Sequence, residues 1–207
     1  MKISTKILGT LATAGTAMAS AVPAYAQEAA EAVVAVPNPG NNAWMMTATI
    51  LVLLMILPGL ALFYGGLTRT KNMLSTMTQV GAAACLAMII WVVYGYGLAF
   101  GPEGNAFISW GKFFLSGVDP SSTVATFTDE VISEYVFISF QMTFAAITLA
   151  LVIGAVVERM KFSAMMIFGA VWLTIVYFPI AHMVWAGGGL LYEAGALDFA
   201  GGTVVHI

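Results

Sequence analysis

Phe137, Phe140 and Phe144 recur at spacings of three and four, which on a helix places their rings on one face with Gln141 beside them. Most such stripes pack against lipid or neighbouring helices. Ring faces also attract cations by about 0.5–2 kcal/mol, and more when dry, so a phenylalanine pair joined by a tryptophan could surround a small cation. Trp185 is a candidate third ring, although at a helix end it is first an interfacial anchor. His206 and Asp198 are the ionisable groups of the last apolar stretch, and such groups in a membrane are functional candidates. Eight residues apart, they would lie roughly 12 Å from one another along a helix, too far for a hydrogen-bonded catalytic dyad. A neutral imidazole at His206 could hydrogen-bond a small polar solute or relay a proton. Asp198, just before the apolar run, suits a helix N-cap, and His182 suits contact with a neighbouring helix or the interface. Cys85, the one cysteine, lies in an apolar run and reads as a reduced, buried side chain.

The elements that position these residues are membrane spans. The 207 residues are 60% hydrophobic and 8% charged, with a mean hydropathy of +0.94, whereas soluble domains are about a quarter charged. A net charge of −3 excludes a basic nucleic-acid surface. Residues 1–26, with Lys2 and Lys6 ahead of a weakly apolar stretch and Ala24-Tyr25-Ala26 at its end, read as a cleavable signal peptide. Residues 27–42 read as a flexible periplasmic lead-in. Uncharged runs at 43–67, 73–100, 135–157 and 162–185 are each long enough to cross a bilayer, which takes about 20 helical residues. A fifth apolar element is expected to begin over 199–207. Pro58-Gly59 and Gly65-Gly66 in the first run, and Gly95 and Gly97 in the second, signal kinking and close packing. Arg69, Lys71, Arg159 and Lys161 lie in the two short loops and only Lys112 in the long one, which puts the short loops in the cytoplasm and the start of the first helix outside. The fold class is all-α, a polytopic transmembrane bundle. Because the chain stops at Ile207 inside an apolar element, the sequence is expected to be truncated.

Four blocks are more specific than apolarity requires: Pro58-Gly59-Leu60-Ala61-Leu62-Phe63-Tyr64-Gly65-Gly66, Trp91-Val92-Val93-Tyr94-Gly95-Tyr96, Ile180-Ala181-His182-Met183-Val184-Trp185, and the run from Ala196 through Asp198 and His206 to Ile207. In these the chain resembles the N-terminal half of the Amt/MEP/Rh ammonium transporter family, closest to its bacterial Amt members. The resemblance implies a homotrimer of eleven-helix protomers, each with its own narrow apolar pore and no cofactor. It implies that Trp185 and Phe140 recruit ammonium, that Phe144 is one ring of the gate below, that His206 is the first of two pore histidines, and that Asp198 organises backbone near the recruitment site. It also implies a PII-type regulatory protein at the cytoplasmic face. Ammonium has the size of water, so cation–π contact and hydrogen-bond acceptors, rather than diameter, would select it against K⁺. Three alternatives stay open: an ammonium sensor of the same fold, an intramembrane enzyme, for which no second catalytic group stands near His206, and a carbon dioxide channel, which would not depend on Trp185.

Overall fold

The computed structural model describes residues 35–125 and 130–207. The expected signal peptide, and residues 27–34 of the lead-in, lie outside the described residues. Among the described residues, four helices are long and apolar enough to cross a membrane: Pro39–Leu67, Thr70–Phe100, Glu134–Val156 and Phe162–Glu193. The first begins earlier than its apolar run, because Asn38 caps it. The Asn38 side chain accepts from the Asn41 N–H at 2.9 Å, and Pro39 occupies the first helical position, where its missing donor costs nothing. The Asn-Pro-Gly-Asn-Asn segment is thus a built helix start rather than a flexible end, and Asn42 Oδ1 further accepts from the Ser133 N–H at 3.0 Å.

Pro58 lies in a π-helical turn, Met55–Leu60, where the absent proline donor is accommodated by the wider winding. Leu51, Leu54, Leu57 and Leu62 of this helix are exposed, an apolar face suited to lipid. The second and third helices form the densest contact. Val80, Ala83, Ala84 and Ala87 on one side and Ala145, Ala146, Leu149 and Ala150 on the other are fully or almost fully buried, small side chains letting the backbones approach. Polar tips stitch the bundle. Trp91 Nε1 donates to the Ile138 carbonyl at 3.1 Å, Tyr64 O–H to the Leu151 carbonyl at 3.2 Å, and Tyr94 and Thr174 share a 2.8 Å bond.

The fourth helix is α-helical over Phe162–Trp172, π-helical over Leu173–Tyr177 and α-helical again over Phe178–Trp185; a further turn, Leu190–Glu193, follows a break. The long loop between the second and third helices holds two short antiparallel pairs, β1 (Glu103–Gly104) with β2 (Ser109–Trp110) and β3 (Thr123–Ala125) with β4 (Val131–Ser133). No helix forms over 199–207, contrary to the sequence expectation. Gly201 adopts a left-handed φ of 78°, and the Val205 and His206 N–H groups both donate to its carbonyl, closing a series of turns.

At the short-loop end, Glu158 accepts from Asn72 Nδ2 at 2.5 Å and Arg69 Nε at 3.0 Å. The Asn72 amide, and after it the Arg69 guanidinium, hold this carboxyl below the ordinary glutamate value. The resulting stabilisation is present at neutral pH and fades as pH falls through the lowered value. A carboxyl ¹³C titration should therefore show an acid-shifted Glu158 midpoint that moves back up in Asn72→Ala; an unchanged midpoint would refute the contact.

Candidate functional site

The third helix carries the phenylalanines, but its stripe serves two neighbours. Phe137 turns to Phe100 of the second helix, with ring centroids 5.1 Å apart, and joins the buried cluster of Trp91, Tyr96 and Phe178. Phe140 and Phe144 stack edge to face at 5.0 Å, and Phe144 meets Trp185 of the fourth helix at 5.7 Å and 81°. Phe140, Phe144 and Trp185 therefore converge as a half-buried train of rings, while the equally half-buried Phe137 pairs with Phe100 instead. Beside Phe140, the buried Oε1 of Gln141 has no hydrogen-bond partner among the described residues. Stacked ring faces of this kind suit a cationic ligand.

His182, one helical turn before Trp185, is 5% exposed, and its two ring nitrogens face the Ala99 carbonyl at 2.8 Å and the Asn105 carbonyl at 2.9 Å. It pins the end of the fourth helix to the second helix and to the long loop. Leu190 adds a backbone bond to Ala106 at 2.8 Å. Trp185 thus projects from a helix end fixed at two points.

Asp198 and His206 lie on the final turns. Asp198 Oδ2 accepts from the Val204 N–H at 3.1 Å and the Thr203 N–H at 3.3 Å, so its carboxylate orders backbone, the role of an N-cap carried out on a turn. Val204 and Val205 are buried in the core and dock the segment, and His206 between Val205 and Ile207 is exposed. His206 therefore does not lie on a helix of a fifth apolar element, and the helical 12 Å separation from Asp198 does not apply.

One polar cluster escaped the sequence reading. Glu134 is 2% exposed, accepts the Tyr96 O–H at 2.5 Å and pairs with the Lys112 ammonium. The available signal was its position directly before an apolar run, at a helix start that favours a carboxylate.

Residues 43–207 match the sequence model of the Ammonium Transporter Family. The chain is 46% identical over 170 residues to a putative ammonium transporter of Methanothermobacter thermautotrophicus, covering 82% of this chain and 41% of that one. It is 45% identical over 171 residues to an ammonium transporter of Bacillus subtilis, covering 81% and 40%. The chain thus spans about two fifths of the length of these curated relatives. Among solved structures, Candida albicans Mep2 superposes with a TM-score of 0.73 at 38% identity, covering 82% of this chain and 36% of that one, and a protein described as a sensor Amt protein with 0.69 at 28%, covering 80% and 40%. With its four apolar helices and the match over 43–207, the chain belongs to the Ammonium Transporter Family.

Proposed function

We propose that this chain is part of a transmembrane transporter of ammonium or ammonia, multi-pass in the inner membrane, with the long loop periplasmic and the short loops cytoplasmic. The observation that carries this reading is the train of rings Phe140, Phe144 and Trp185, on a helix whose Gln141 holds an unmatched side-chain oxygen. Trp185 and Phe140 recruit the cation by their ring faces, the Gln141 oxygen accepts one of its hydrogens, and Phe144 closes the passage below. Beyond the rings the apolar surroundings disfavour the charged form, so the ion must shed or relay its proton, and His206 is the imidazole that supports this. Asp198 keeps the turn bearing His206 in shape. The charge asymmetry of the loops supports the orientation. By family resemblance the complete protein is a homotrimer, and a PII-type protein binds its cytoplasmic face.

The sensor reading rests on the likeness at 28% identity. The curated relatives matched at 45–46% are named as transporters, which favours transport. The deciding measurement is uptake of labelled methylammonium, with simultaneous current, in vesicles holding the full-length protein. Saturable uptake that ammonium inhibits and equal K⁺ does not is expected, and His206→Ala should abolish it or let K⁺ through. No uptake by folded native protein would overturn transport in favour of sensing or another solute.

A further inference from the structure

Away from the ring train, at the start of the third helix, Glu134, Tyr96 and Lys112 form a buried constellation that the transport reading does not use. The Glu134 side chain is 3% exposed and that of Lys112 24%. Glu134 Oε1 accepts both the Tyr96 hydroxyl and the Lys112 ammonium, and that ammonium also stands 5.9 Å from the centroid of the Tyr96 ring. A buried carboxylate beside an aromatic ring is what a primary ammonium cation requires: charge and hydrogen-bond acceptance on one side, cation–π attraction on the other.

We infer that Glu134 and Tyr96 form a second site for a small primary ammonium cation, filled here by the side chain of Lys112, which latches the long loop to the bundle. The backbone around Lys112 agrees with a latch. Lys112, Phe114 and Leu115 all hold left-handed φ values, of 50°, 52° and 57°, which non-glycine residues keep only where surrounding contacts impose them. The peptide at Gly111 presses on Gly97 of the second helix. Lys112 is tethered, so its effective concentration at Glu134 is high and free cations do not displace it from the native chain. Remove its side chain and the carboxylate is left buried without a counter-charge, ready to take a soluble ammonium in its place.

The test is chemical rescue in the full-length protein carrying Trp185→Leu, so that binding at the ring train contributes little. Thermal stability is compared in methylammonium chloride and in potassium chloride at equal ionic strength. Lys112→Ala is expected to lower Tm by several degrees, methylammonium to restore most of the loss, and K⁺ to restore little. Lys112→Ala/Glu134→Gln, which removes both charges, should gain nothing from methylammonium beyond the gain of the Trp185→Leu parent. Equal rescue by K⁺, no rescue of folded Lys112→Ala, or rescue that persists with Glu134→Gln would overturn the inference. Should Lys112→Ala accumulate unfolded, the yield of folded protein is read instead: recovery when methylammonium is present during solubilisation supports the site, and failure in both salts where the double variant folds overturns it. Because the readout is stability, the result is independent of whether the protein transports.

Discussion

Replacing Trp185 with leucine in the full-length protein is expected to raise the methylammonium concentration for half-maximal uptake about 2- to 30-fold, leaving the maximal rate near native. The factor follows from the roughly 0.5–2 kcal/mol that a ring face contributes to holding a cation, at about 1.4 kcal/mol per tenfold. Leucine fills much of the volume but offers no ring face, and it ends the edge-to-face pairing with Phe144 at 5.7 Å. Since Trp185 is only half-buried, the fold should survive. The helix end is held independently by His182, whose contacts with the Ala99 and Asn105 carbonyls do not involve the tryptophan. A change confined to the half-saturation concentration means that a binding interaction shared by ground and transition states was lost. Trp185→Phe retains a ring and should fall between native and leucine. Identical uptake curves for native and leucine proteins would remove Trp185 from recruitment, and the carbon dioxide channel, which has no use for a cation site, would gain.

How far such a site can be read from sequence depends on how far apart its parts lie. The spans were legible because uncharged runs of more than 20 residues leave few alternatives, and the Phe140–Phe144 pair because a spacing of four is local geometry. Trp185 lies 41 positions beyond Phe144; ring chemistry made it a candidate third ring and family resemblance favoured it, but only the structure brought the two rings together. The separate place of Phe137 has the same origin: periodicity names a face but not which of two neighbouring helices meets each ring, and Phe100 meets this one. Lys112 and Glu134 are 22 residues apart, separated by a loop whose strands of two and three residues carry no readable period. The turns at 199–207 defied the expectation of a helix because apolar composition fits either, whereas the left-handed Gly201 and the bonds to its carbonyl decide it.

Gly97→Ala should be among the most damaging single-atom-scale changes in the chain. A β-carbon there would stand 1.9 Å from the Gly111 carbonyl oxygen and 3.1 Å from its carbon, both backbone atoms with no rotamer to retreat into. Nor can Gly111 easily move. Its φ is 100°, and its own Cα faces the Pro102 ring closely enough that a β-carbon would lie 3.0 Å from Cδ. The Gly97 carbonyl meanwhile accepts the Ser109 hydroxyl at 3.0 Å, and the same hydroxyl accepts the Gly101 N–H at 2.9 Å. Lifting the loop to admit a methyl group would strain or break these bonds and the Lys112–Glu134 latch together. Overpacking costs about 1–3 kcal/mol and an orphaned buried polar group a similar amount, so a loss of roughly 2–6 kcal/mol is expected. Gly81 is the internal control: in the same helix, a β-carbon there meets nothing within 4 Å. Gly81→Ala should leave stability unchanged or raise it by up to about 1 kcal/mol through helix propensity alone. Thermal unfolding of the two full-length variants side by side separates a general intolerance of the helix from a backbone contact at one position. If Gly97→Ala unfolds like Gly81→Ala, the long loop does not rest on the second helix, and the ammonium latch at Glu134 loses the contact that holds its lysine in place.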